Sequence, residues 1–208
     1  MHGVVLDADT LGPGLDLTRL RGQLDSWDWH GHTASGETAG RIRDADVVIT
    51  NKVVLDADAF AAAKRLQLVC VAATGVNNID LEAARAHGVT VCNATGYGTP
   101  SVVQHTFALI LALATRLPDY QAAVRAGEWS RSPFFCLLDF PITELAGKTL
   151  GVIGYGTLGQ GVAGIARAFD MDVQVAARPG ASDIPADRVA VEDLLQRADV
   201  LTLHCPLT

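Results

Sequence analysis

Cysteine, aromatic residues and basic charge are all scarce in this chain, and each shortage excludes something. There are 4 cysteines in 208 residues. Cys70, Cys92, Cys136 and Cys205 stand far apart with no C-x-x-C spacing, which argues against a disulfide scaffold or a zinc site. Three of them fall in apolar or strand-like runs, so buried, reduced thiols of a cytosolic protein are expected. Lys and Arg number 16 against 23 Asp and Glu, a net charge of -7. That balance supplies no footprint for nucleic acid or for an anionic membrane surface. The longest helical apolar run, Phe107 to Ala114, is far short of a membrane span. The N-terminus passes straight into Gly3-Val4-Val5-Leu6-Asp7 without a basic leader, so no secretory signal is expected. A cytoplasmic location follows as the expectation.

What the chain does have is apolar residues, at 49%, with 19% charged, the balance of an ordinary globular protein. It also has one organising stretch, Thr149 to Gln160. A short apolar strand runs into Gly154-Tyr155-Gly156-Thr157-Leu158-Gly159 and then into a helix with apolar residues at Leu158, Val162, Ile165, Ala166 and Phe169. This is G-x-G-x-x-G in the strand–turn–helix setting of a dinucleotide fingerprint. Gly154 permits the tight turn, Gly156 lets backbone approach a pyrophosphate, and Gly159 lets helix and strand pack closely. The helix N-terminus then faces the phosphates. Three glycines alone are weak evidence in a chain with 20 of them; the strand before and the helix after carry the reading.

Upstream, strands alternate with helices. Strands are predicted at Val4 to Leu6, Trp27 to His30, Val47 to Thr50, Leu68 to Ala73 and Val89 to Cys92. Helices are predicted at Leu15 to Leu24, Asp56 to Lys64 and Leu81 to His87, the last closed by Gly88. Such alternation predicts a parallel, doubly wound sheet over residues 1–96. Its polar strand ends, Asn51-Lys52 and Thr74 to Asn78, are candidates for a ligand site. Gly96 to Pro100 reads as a hinge, with Thr99 as N-cap of a long helix from Ser101 to Leu117. Gly127 to Leu145 is aromatic and aperiodic, with Trp129, Phe134, Phe135 and Phe140, and reads as an arm that packs on something. After the glycine-rich strand, two more strands follow, at Asp172 to Ala177 and Val200 to His204. Three strands stand where a full dinucleotide fold has six. The expected architecture is therefore α/β, with two doubly wound parallel-sheet domains: a flavodoxin-like one at 1–96 and an incomplete Rossmann domain at 97–208.

Residue 177, 23 positions after Gly154, is where a ribose-binding acid is expected; it is alanine, followed by Arg178. That pair removes a carboxylate that would repel a 2′-phosphate and adds a guanidinium that would bind one. It favours NADP, with NAD possible; the plainer alternative is that Arg178 stacks on adenine or faces solvent. Among the six histidines, none has the spacing of a triad or a metal site. His105 reads as a buried, hydrogen-bonded side chain, and His204 as a residue that orders the loop after its strand.

Four stretches carry a resemblance: Ala72 to Asp80 (A-A-T-G-V-N-N-I-D), Asn93 to Gln104, Leu145 to Gly159, and Ala198 to Thr208 (A-D-V-L-T-L-H-C-P-L-T). In these the chain resembles the D-isomer-specific 2-hydroxyacid dehydrogenases, most closely the glycerate dehydrogenase or hydroxypyruvate reductase group. The resemblance implies hydride transfer between a nicotinamide and a small 2-keto or 2-hydroxy acid, in a cleft between the two domains. It implies that Gly75 and Val76 offer amides to the substrate carboxylate, with Lys52, Asn77 and Asn78 lining the cleft. It places Thr157 and Leu158 on the pyrophosphate, Arg178 by the adenosine ribose, Cys205 and Pro206 along the cofactor, and Thr106 on the nicotinamide side. It also implies a homodimer made by the 127–145 arm. The family's catalytic arginine, glutamate and histidine fall after the H-C-P-L-T element, so no catalytic residue is assigned and the 208 residues alone are expected to be inactive. Readings of another class are a non-catalytic, dimerising NAD(P)-binding module, as in corepressor relatives, or an inactive fragment.

Overall fold

A computed structural model of the chain describes residues 1–178, 180 and 184–205. It divides into two compact units, Met1–Gly96 and Tyr97–Thr208. In the first, strands β1 (His2–Val5), β2 (Ser26–Trp29), β3 (Val47–Thr50), β4 (Leu68–Val71) and β5 (Thr90–Asn93) are joined mainly through helices α1 (Thr18–Arg21), α2 (Thr38–Ile42), α3 (Ala57–Ala62) and α4 (Leu81–Ala86). All strand pairs are parallel, in the order β2-β1-β3-β4-β5. That is the flavodoxin-like order, whose switch point lies between β1 and β3. The core is Val4, Val48 and Val69 from the strands, and Leu6 just past β1, against Ile42, Leu55 and Phe60. Asp56 and Asp80 start α3 and α4 by accepting the amides of Ala59 and Ala83, each at 2.9 Å.

Helix α1 is one turn, not the ten residues that the leucine spacing predicts. Asp16 accepts the amide of Thr18 at 2.9 Å and starts it there, Gly22 ends it, and none of its residues is buried. The cysteines also depart from expectation: none is buried. Cys92 and Cys205 are exposed, and Cys70 and Cys136 half-buried. Cys92 sits on β5, which among the described residues is an edge strand with β4 as its neighbour.

The second unit opens with α5 (Thr99–Ala114). Thr99 is its first residue and Gly98 its N-cap, without a side-chain bond, so Thr99 is not the cap. The predicted long helix ends early. Arg116, at φ 54, breaks it, and α6 (Leu117–Arg125) starts with Pro118 in its first turn. A further short helix, α7 (Glu128–Arg131), begins the arm. Then come β6 (Thr149–Ile153), α8 (Thr157–Ala168), β7 (Asp172–Val175), α9 (Val191–Arg197) and β8 (Val200–Leu203). The sheet is parallel, ordered β7-β6-β8. Beyond β7, Val189 makes a single parallel bridge to Ala176. In a Rossmann sheet, ordered 3-2-1-4-5-6, that bridge stands where the third strand belongs and β8 takes the fourth place. The switch point is thus between β6 and β8. Helix α5 packs closely on α8: a methyl group on Gly161 would stand 2.7 Å from Val103. His105 is exposed on α5, contrary to the expected buried histidine. No helix among the described residues is long and apolar enough to cross a membrane.

Candidate functional site

In the second unit, β6 delivers Gly154 to the switch point, and the three glycines of the turn do three different things. Gly154 has φ +92, and a Cβ there would lie 2.5 Å from the nitrogen of Cys205 and 2.5 Å from the carbonyl carbon of His204. Both the backbone angle and the neighbouring chain exclude a side chain. A Cβ on Gly159 would lie 2.1 Å from the carbonyl oxygen of Gly154, so glycine is needed there for the helix to meet the turn. Gly156 is unlike either. Its φ of -78 and ψ of -163 suit any residue, and a Cβ there would meet nothing within 4 Å among the described residues. The described residues give no reason for glycine at 156. Gly156 is also the N-cap of the 12-residue α8, and no side chain caps that helix. Thr157 is exposed and Leu158 half-buried in its first turn.

The switch point is held from the β8 side. His204 donates its amide to Ile153 at 2.7 Å, and its imidazole bonds to the buried Thr202 hydroxyl at 2.9 Å. Partial burial lowers the His204 pKa below its ordinary value, because desolvation disfavours the charged ring. Cys205 follows, exposed; Pro206 lies outside the described residues. Arg178 is exposed just past β7, beyond the buried Ala177, whose amide is bonded to Val189 at 2.8 Å. A second arginine went unnoticed in the sequence: the Arg188 guanidinium lies 4.8 Å from the ring centre of Tyr155, inside the glycine turn. Thr106 is half-buried on α5, and its hydroxyl donates back to the carbonyl of Val102 at 2.8 Å.

In the first unit the polar strand ends are tied into one frame. Asn78 donates its side-chain amide to the carbonyl of Val53 at 2.9 Å, and Leu55 donates its backbone N–H to the carbonyl of Asn78 at 2.9 Å. The loop after β4 is therefore laced to the loop after β3, which carries Lys52. From the other side, Asn93 donates to the carbonyl of Thr74 at 2.7 Å. Between these ties Gly75 and Asn77 are exposed and Val76 half-buried. A Cβ on Gly75 would come within 3.1 Å of the Asn77 side-chain oxygen. Gly75 to Asn78 and the Lys52 loop are thus brought together, with the Asn78 side chain acting as a tie within the frame.

The residue that anchors this frame is Asp7, which sequence reasoning missed. It is buried at the end of β1 and accepts amides from the loop after β3. The bonds are from Asn51 at 2.9 and 3.1 Å, Lys52 at 2.6 Å and Val53 at 3.3 Å. The available signal was an aspartate directly after a buried run, Val4-Val5-Leu6. An open cleft of about 800 Å³ adjoins it, lined in part by Asp7, Thr10, His32, Thr33, Lys52 and Asp56. None of Gly75, Val76, Asn77 and Asn78 borders that cleft. Lys52 is exposed at its mouth. No group of three or more potential metal ligands occurs among the described residues.

Residues 107–208 match the family model for the D-isomer specific 2-hydroxyacid dehydrogenase, NAD binding domain. The chain is 37% identical over 213 aligned positions to the hydroxypyruvate reductase of Blautia hydrogenotrophica, covering 100% of this chain and 66% of that protein. Among solved structures it is similar to the TT0316 protein of Thermus thermophilus, with TM-score 0.83, 33% identity, and coverage of 100% of this chain and 66% of the other. It is also similar to the D-lactate dehydrogenase of Aquifex aeolicus solved with NAD and lactic acid, with TM-score 0.78, 26% identity, and coverage of 99% and 61%. The chain thus spans 66% of the length of that reductase.

Proposed function

Because the chain belongs to the D-isomer-specific 2-hydroxyacid dehydrogenase family, we propose that it serves hydride transfer between NADP and a small 2-keto or 2-hydroxy acid. Hydroxypyruvate with D-glycerate, or glyoxylate, is the substrate class we assign. The observation that carries the cofactor half is Gly156: a glycine required by neither backbone angle nor neighbours, set between two glycines that are. Backbone left bare toward open space at an uncapped helix start suits a pyrophosphate. Thr157 and Leu158 supply the first-turn amides beside it. When bound, the nicotinamide supplies or accepts the hydride.

The chain's own residues bind and orient. Gly75 and Val76 present backbone N–H groups to the substrate carboxylate, in a loop fixed by Asn78 and Asn93. Lys52 and Asn77 add charge and polarity at the same frame. On the cofactor side, Ala177-Arg178 supports NADP over NAD, since the described residues at the end of β7 offer a methyl group and a guanidinium and no carboxylate. Cys205 and Pro206 follow β8 along the cofactor, and Thr106 belongs to the nicotinamide side. We read 1–96 as the substrate-binding domain and 97–208 as the cofactor domain. The 127–145 arm makes a homodimer in this reading, and the enzyme is cytoplasmic.

The test is titration of the chain with NADPH and NADH, followed by calorimetry. NADPH binds more tightly, Gly156→Val weakens both dinucleotides, and Arg178→Ala weakens NADPH alone by about 1.5–3 kcal/mol, the scale of a charge-assisted hydrogen bond. Ala177→Asp shifts preference toward NADH. Equal loss of both cofactors on Arg178→Ala overturns the NADP reading, and unchanged binding by Gly156→Val overturns the pyrophosphate site.

A further inference from the structure

Two thiols in the first unit have no part in the site described above. Cys70 of β4 and Cys92 of β5 are register partners in adjacent parallel strands. Side chains alternate along a strand, and Val69 and Val71 are buried in the core. Cys70 therefore points to the opposite face of the sheet, with Cys92 beside it on the same face. Cys92 is exposed, Cys70 is half-buried, and both are unbridged. Adjacent strands run about 4.8 Å apart, inside the range of about 4.4–6.8 Å between Cα atoms over which disulfides form.

We propose that Cys70 and Cys92 form a dithiol oxidation site, in which a peroxide converts the cross-strand thiol pair into a disulfide. The Cys92 thiolate attacks one peroxide oxygen and the O–O bond breaks. The products are a Cys92 sulfenic acid and an alcohol or water, which takes up the proton the thiol gave up. The Cys70 sulfur then attacks the sulfenyl sulfur. The S–O bond breaks, water leaves with the hydroxyl and the Cys70 proton, and the S–S bond forms. The two thiols lose two electrons and the peroxide gains them. Exposure makes Cys92 the sulfur that meets the oxidant. Burial, and secondarily the neighbouring Cys92, push the Cys70 thiol above its ordinary pKa, which makes it the poorer first nucleophile; its place beside Cys92 in the strand register is what brings it to the sulfenyl sulfur.

Partner side chains in parallel strands extend side by side, so closing the bond strains the pair, and strained disulfides are the readily reduced ones. The bond is therefore reversible by a thiol reductant. It also lies next to the carboxylate frame, because Asn93, adjacent to Cys92, holds the carbonyl of Thr74.

The experiment is oxidation of the folded chain with hydrogen peroxide, alkylation with iodoacetamide, and non-reducing tryptic mass mapping. The expected result is a linked pair, Leu66–Arg85 with Ala86–Arg116, two hydrogens lighter than the sum. Alkylation of both cysteines is lost and then restored by dithiothreitol. Cys70→Ser leaves a dimedone-reactive sulfenic acid at Cys92, and Cys92→Ser leaves Cys70 alkylatable. Circular dichroism and thermal melts confirm that both variants fold. Oxidation of Cys92 without the linked peptide overturns the proposal. So does pairing with Cys136 or Cys205, or a linked peptide that forms equally well in denaturing urea.

Discussion

The carboxylate of Asp7 accepts the backbone amide of Lys52 at 2.6 Å, across the switch point between β1 and β3. Asp7 also holds Asn51 and Val53, so one buried side chain sets the whole turn that presents Lys52 to solvent. The two residues therefore answer to opposite tests. Asp7→Ala leaves the part-buried amides of Asn51 and Lys52 without their acceptor, while Val53 keeps the Thr50 hydroxyl, and is expected to cost about 1–3 kcal/mol. Asp7→Asn keeps one acceptor oxygen and costs less. Lys52→Ala, at an exposed position, changes stability by less than about 0.5 kcal/mol. Urea unfolding midpoints measure all three, and equal effects of Asp7→Ala and Lys52→Ala would contradict the arrangement.

The glycine turn separates stability from binding in the same way. Gly159→Ala puts a methyl group against the carbonyl of Gly154, backbone that cannot rotate aside. The expected loss is about 1–3 kcal/mol, the scale of overpacking. Gly156→Ala meets nothing and leaves the melting temperature unchanged while it weakens dinucleotide binding. Thermal melts with and without NADPH distinguish the two. A stability loss at Gly156 as large as that at Gly159 would mean that position 156 serves the fold alone.

How much of this was legible in the sequence differs between the two units. The strand–turn–helix at 149–168 could be read because one local stretch carries its period, its turn and its glycines together. What each glycine does depends on residues some 50 positions away, as His204 and Cys205 do for Gly154, and no local pattern reports that. Asp7 was invisible for the same reason, since its partners lie 44 to 46 residues on. The leucines at 15–24 have helical spacing, yet only one turn forms, because none of that turn's residues finds a core to enter. The third Rossmann strand left almost no trace, being reduced to one bridge at Val189.

Asp46 gives the first unit a pH dependence. Its pKa is lowered, first by the hydrogen bond from the His2 amide at 2.6 Å and further by Arg65, which grips both carboxylate oxygens. A depressed folded-state pKa means that the stabilisation is present above the unfolded value of 3.8 and is lost as pH falls through the folded value below it. Asp46→Asn therefore destabilises the protein at neutral pH, and the gap between variant and wild type closes as pH drops below 3.8. Urea unfolding across that acid range measures it. A gap that stays constant down to the lowest pH would show that the carboxylate's charge plays no part.

The arm's aromatic residues divide into an anchor and a face. Phe140 packs edge-on to Tyr120 at 5.1 Å between ring centres, and the Tyr120 hydroxyl donates to the Phe140 carbonyl at 2.7 Å, so this ring belongs to its own unit. Part of what the arm packs on is thus Tyr120 of α6. Phe134, Phe135 and Leu138 are 70%, 92% and 79% exposed, with Trp129 at 53%. Apolar side chains this bare and this close in sequence mark a surface meant to be covered. If the arm makes the proposed homodimer, Phe135→Ser removes a central contact and weakens association by about tenfold or more, the effect of losing a residue worth over about 1.4 kcal/mol. Its melting temperature at high dilution, where dimers are absent, stays that of the wild type. Phe140→Ala does the reverse, since it loosens the arm's footing on Tyr120 and lowers the melting temperature at every concentration. Sedimentation across a dilution series reads the first effect and calorimetry the second. A Phe135→Ser variant that associates as tightly as the wild type would place the dimer surface elsewhere.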